Sequence, residues 1–180
     1  MKLHALATTG LALSISAGAA ADLVINLDTF TASGFDFFLQ YSAGDLTGTL
    51  SAISVDAVLV QAGVDFTWAS DLAVVVSTDT LDPPYFLQVG GFSQITGVEE
   101  YTDGLSGFSG AAGTIVSYSY DLIAPLEMSD KALWLGNGYA FGGDGVWSGT
   151  VTLHGVSQIP APGAFALLGL AGLVARRRRG

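Results

Sequence analysis

Carboxylates are the only reactive groups that this chain holds in quantity. Sixteen Asp and Glu stand against six Lys and Arg, and all sixteen acids lie between Asp22 and Asp144. Such acids do two kinds of chemistry. They can pair as acid and base across a glycosidic bond, which requires a cleft and a separation of about 5 to 10 Å. They can also supply oxygen ligands to calcium. Asp71, Asp79, Asp82 and Asp144 lie in turn-like contexts and are the calcium candidates. The plainer alternative is solvated loop acids, because no EF-hand spacing is present. Glu99, Glu100 and Asp103 form a further acidic turn with the same two readings. Apart from His4, the only histidine is His154, on the polar face of a final strand, so a Ser-His-Asp triad would have to use it. No Gly-x-Ser-x-Gly elbow occurs, and the glycines from Gly136 to Gly145 precede no helical pattern that could cradle phosphate. Zinc is set aside for want of cysteine and histidine. Trp68, Trp134 and Trp147 are candidates for stacking on sugars, although in small sandwiches such side chains more often fill the core. No residue is assigned as catalytic and no cofactor is required.

These groups must be positioned by strands. Half of the 180 residues are apolar, 12% are charged and 24 are Gly, a balance of turn-rich β proteins rather than helical or disordered ones. Ile53, Val55, Ala57 and Leu59 alternate with Ser54 and Asp56. Val116, Tyr118, Tyr120 and Leu122 alternate with Ser117, Ser119 and Asp121, and Trp147, Val151 and Leu153 with Ser148, Thr150, Thr152 and His154. Period two predicts half-buried strands. The unbroken run Leu72 to Val76 predicts a strand covered on both faces. No helical period appears between Asp22 and Pro160. The expected fold is all-β: a single antiparallel β-sandwich or jelly roll over residues 22–158.

Both ends carry a different signature. Lys2, the apolar stretch from Leu6 to Ile15 and the small residues from Ala17 to Ala21 form a secretory signal peptide over residues 1–21. Ala19 and Ala21 occupy the minus-three and minus-one positions of signal peptidase cleavage, which places the mature start at Asp22. At the other end, residues 159–180 begin with a hinge containing Pro160, Pro162 and Gly163, which interrupts strand or helix. Twelve uncharged residues, Ala164 to Ala175, predict a helix of roughly 18 Å against a hydrocarbon core of roughly 30 Å, a marginal transmembrane segment. Arg176, Arg177, Arg178 and Arg179 then resist translocation, leaving the acidic body outside. That body has Lys131 as its single cation, which disfavours nucleic acid and polybasic docking on lipid.

The proline pair, short apolar run and terminal arginine cluster resemble the PEP-CTERM sorting signal of Gram-negative and related bacteria. The resemblance covers about the last twenty-two residues and departs at Ala161, where the family usually has Glu. It implies recognition by a membrane-embedded processing enzyme, exosortase, and a link with extracellular polysaccharide and biofilm matrix. A weaker resemblance, to P-domain-like jelly rolls that accompany secreted proteases, rests on Phe66 to Val74, on Ala132 to Leu135 and on Gly143 to Leu153. It covers about a fifth of the chain, and the turn expected after the Asp71-Leu72 strand is not recognisable. The favoured expectation is an exported surface or matrix protein with a non-catalytic, structural or adhesive role. The alternatives are a secreted carbohydrate-binding module, which predicts solvent-exposed Trp or Tyr beside acidic or amide groups on one sheet face or loop end and is removed if Trp134 and Trp147 are both buried, and a carboxylate-based hydrolase.

Overall fold

The computed structural model describes residues 21–62, 67–92, 99–101, 107, 109–139 and 143–160, with the backbone alone for 99–101. It is all-β, in two five-stranded sheets. The first contains β1 (Leu23–Asn26), β2 (Phe30–Ala32), β4 (Leu46–Ala62), β8 (Thr114–Glu127) and β10 (Gly145–Gln158). Its order is β1-β10-β4-β8, with β2 following β1 along β10. The second contains β3 (Phe37–Tyr41), β5 (Leu72–Ser77), β6 (Leu87–Val89), β7 (Glu99–Tyr101) and β9 (Ala132–Asn137), in the order β3-β9-β5-β6-β7. All pairings between these strands are antiparallel except β6 with β7. Among the described residues the only helical piece is a 3₁₀ turn, Ala69–Asp71, and no helix is long and apolar enough to cross a membrane.

Alternation in the sequence becomes the two faces of each sheet. Ile53, Val55, Ala57 and Leu59 of β4 are buried against Val116 of β8 and Trp147, Val151 and Leu153 of β10. From the second sheet Leu72, Val74, Val76, Leu87, Val89, Leu133 and Leu135 close the same core. Because side chains alternate, burying one set commits its neighbours to the outside: Ser54, His154 and Ser119 on the first sheet, Val75, Gln88 and Trp134 on the second. The apolar run of β5 is buried on both faces, and loops provide the outer cover. Glu99 and Glu100, expected in an acidic turn, instead lie in β7, while Asp103 is outside the described residues. The parallel pairing with β6 carries the backbone of this segment into the sheet.

Candidate functional site

Outside β5, the second sheet carries a cavity of about 200 Å³ lined by Phe35, Phe37, Val75, Leu81, Tyr85 and Gln88. Register sets its floor. Val75 pairs with Trp134 on one side and Gln88 on the other, so these three residues form a row across the outer face. One wall comes from the turn before β3. There Asp36 N–H donates to Ser33 O, and Phe35 N–H donates to Asn137 O at the end of β9. The Phe37 ring lies over Gly136, where an added Cβ would fall 2.6 Å from the ring and 2.3 Å from Asp36 O. Only glycine lets the ring approach so closely. The opposite wall is the segment after β5. Ser77 and Thr78 hydroxyls both donate to Asp82 O, Leu81 N–H donates to Thr78 O, and the Trp134 indole donates to Thr78 O.

Two bulky residues of this lining have left-handed backbones: Phe35 at φ 56° and Leu81 at φ 53°. A large apolar residue in that region costs about 1 to 3 kcal/mol, and such strain gathers at ligand sites. Glycine would relieve it at either position and remove the cavity wall. Among the described residues the third non-glycine residue of this kind, Asp28 at φ 42°, is of a type that tolerates the region.

Gln88 is 1% exposed and donates from Nε2 to Gly90 O and to Phe92 O. Two carbonyl acceptors fix which way its amide points, because an amide oxygen there would face oxygen. The carbonyl Oε1 is the amide atom that these two bonds leave over, and it can only accept.

On the first sheet a second arrangement runs from Asp22, the residue before β1, across β10, β4 and β8. Asp22 Oδ2 lies 2.8 Å from His154 Nδ1, and His154 Nε2 lies 2.8 Å from Ser54 Oγ. Ser54 Oγ in turn bonds Ser119 Oγ at 3.0 Å. These are the contacts of a nucleophile, base and orienting acid. Ser54, however, sits inside the central strand β4, paired with Thr152 and Ser119, so the amides around it belong to the ladder rather than to an oxyanion site. The row acts as a clamp that holds the start of β1 on the sheet.

Asp22 also accepts the Gly155 N–H at 3.0 Å, and this bond first, then His154, holds its carboxyl below the ordinary carboxylate range. A carboxyl depressed by folding adds stability above its unfolded value of about 3.9, and that stability is lost as pH falls through the folded value. Asp22→Asn is therefore expected to unfold at lower temperature than the wild type at pH 7, with the gap closing as the pH is lowered to 3. A gap that stays constant over that range would show that the contact is not ionic.

The calcium candidates are used singly. Asp71 is 6% exposed and its Oδ2 accepts the Trp68 N–H at 2.7 Å; burial pushes its carboxyl up to about 6, against the lowering effect of that bond. Asp79 Oδ1 accepts the Ala43 N–H at 2.7 Å and ties the segment after β5 to the turn before β4. Asp82 and Asp144 are exposed. Among the described residues no group of three or more His, Asp or Glu is placed to hold a metal ion. Of the tryptophans, Trp147 is fully buried, Trp134 is half-buried and Trp68 is 43% exposed. Of the processing residues, Ala21 and Pro160 are described, with Ser157 Oγ donating to Ala21 O. Ala19, Pro162, Gly163 and Arg176 to Arg179 lie outside the described residues. Nothing in the sequence marks Phe35, Phe37, Leu81, Tyr85 and Gln88 as a set, since they come from two stretches, 35–37 and 81–88, that are more than forty residues apart.

No protein-family model, curated protein or solved structure matches the chain.

Proposed function

We propose that the chain is an exported protein of the bacterial cell surface or extracellular matrix, with a non-catalytic adhesive role in which the sandwich holds matrix carbohydrate. The observation that carries the carbohydrate reading is the cavity on the second sheet, where Tyr85 and two phenylalanines stand beside the buried amide of Gln88. Aromatic faces with one or two placed polar atoms suit a ring that is apolar on its faces and polar at its rim.

Export and sorting draw support from the sequence at both ends. In this reading signal peptidase cleaves after Ala21, and an exosortase-like enzyme acts on the tail from Ile159, whose apolar run Ala164 to Ala175 meets the membrane. The jelly-roll reading is supported by strand order: from β2 to β5 and again from β7 to β10, successive strands alternate between the sheets. In addition, β9 inserts between β3 and β5, and β10 between β1 and β4.

Two measurements on protein from the native surface or medium test the proposal. Intact-mass analysis is expected to give a form starting at Asp22 and ending between Pro160 and Gly163, found only in cells that have the processing enzyme. Retention of Arg176 to Arg179 in the membrane of cells with and without the enzyme would overturn sorting. That mature form is expected to sediment with the cells' own exopolysaccharide, and failure to do so would overturn the carbohydrate role.

A further inference from the structure

We infer that the cavity takes a single neutral sugar residue, its apolar face against Phe35, Phe37 and Tyr85 and one of its hydroxyls donated to Gln88 Oε1. The inference rests on the carbohydrate reading above and narrows it to a ligand class and a binding mode.

Size sets the first limit. About 200 Å³ is less than the roughly 300 to 1,000 Å³ of sites for drug-sized ligands, and more than the roughly 150 Å³ that admits a benzene ring. One six-membered ring with its substituents fits that interval.

Polarity sets the second. Leu81 and the three aromatic side chains offer apolar surface, which selects a ligand with an extended C–H face. Gln88 Oε1 requires a donor from the ligand, because both amide hydrogens already serve the Gly90 and Phe92 carbonyls. An anion or an ether oxygen at that point would face a buried acceptor unpaired, at a cost in affinity.

Charge sets the third. The body carries all sixteen carboxylates, and between residues 22 and 158 there is no arginine and only one lysine. That lysine, Lys131, is nearly buried, pairs with Asp130 and lies 4.7 Å above the Phe86 ring centre. A uronate or sulfated sugar would meet a repelling field and no cation to receive it. Backbone hydrogen bonds from Phe35 N–H to Asn137 O and from Leu81 N–H to Thr78 O hold the two walls before a ligand arrives, which lowers the ordering cost of binding.

Calorimetric titration of the mature protein with methyl glycosides of glucose, galactose, mannose and rhamnose, and with methyl glucuronide, tests the inference. At least one neutral glycoside is expected to bind at one site per chain, the glucuronide at least about tenfold more weakly. Tyr85→Ala, checked for an unchanged circular dichroism spectrum, is expected to weaken the neutral ligand about tenfold or more. Trp68→Ala, an exposed aromatic outside the cavity, should leave it unchanged. The fully O-methylated glycoside, which keeps the ring and loses every donor, is expected not to bind. Equal binding of the glucuronide, or of the O-methylated sugar, would overturn the ligand class or the Gln88 contact and leave the carbohydrate role standing. Loss of binding in Trp68→Ala with none in Tyr85→Ala would move the site elsewhere. If no glycoside binds while exopolysaccharide still sediments the protein, the cavity assignment is overturned alone; failure of both overturns the parent reading.

Discussion

Replacing Trp147 by alanine is expected to destabilise the domain by about 3 to 5 kcal/mol, the range for removing a fully buried large aromatic from a core. Trp147 is 0% exposed, its ring is 6.4 Å from the Phe30 ring, and its indole donates to Ala69 O at 3.0 Å. The site cannot collapse readily. An added Cβ on Gly145 would stand 2.2 Å from the ring, so the backbone there is shaped around the indole. Alanine would leave a cavity between the sheets and take from Ala69 O one of its two donors, the other being the Leu72 N–H that closes the 3₁₀ turn. For a domain of this size the thermal midpoint should fall by roughly 10 to 20 °C, read by circular dichroism. A loss under about 1 kcal/mol would mean that the ring is not part of the core.

Asp71→Asn should move stability the other way. Burial raises the Asp71 carboxyl to about 6, so the folded state holds its proton more tightly than the unfolded chain does. For a group raised in this way, the benefit is complete below the unfolded value of about 3.9 and is lost as pH rises through the folded one. By pH 7 the wild type has lost roughly 3 kcal/mol for this reason, at about 1.4 kcal/mol for each tenfold difference in proton affinity between the folded and unfolded chains. Asparagine keeps an acceptor for the Trp68 N–H and has no charge to desolvate. The variant is therefore expected to be more stable than the wild type at pH 7 to 8 by up to that amount, with the two curves meeting near pH 4. Denaturant unfolding from pH 4 to 8 checks both points, and a variant less stable at pH 8 would show that the ionised carboxylate is needed there.

The sequence reveals what depends on neighbours along the chain. Period two in β4, β8 and β10 and the unbroken run in β5 report burial because adjacent residues on a strand have opposite surroundings. Periodicity cannot separate Trp147, which shares the inward face with Val151 and Leu153, from a sugar-stacking residue, since both are tryptophan on a strand. Contacts set by register are out of its reach. His154 is recognisable as the only base available to a triad, but its partners Asp22 and Ser54 are 132 and 100 residues away, and only the pairing of β1, β10 and β4 brings them together. Gln88 gives no signal in a three-residue strand too short for alternation to be read. Nor does composition report the left-handed backbones of Phe35 and Leu81, because their side chains give no local reason for that conformation.

The position of β10 has a mechanical consequence. This strand ends the domain at Gln158, pairs with β4 along its length, and carries β1 and β2 on its other edge. A pull on the chain beyond Gln158, with the cavity side held by a ligand, acts nearly along the strand. Its hydrogen bonds on both edges are then loaded together in shear rather than opened one after another like a zip. A domain tethered at this end and gripping something with its other sheet would resist extension where the load enters.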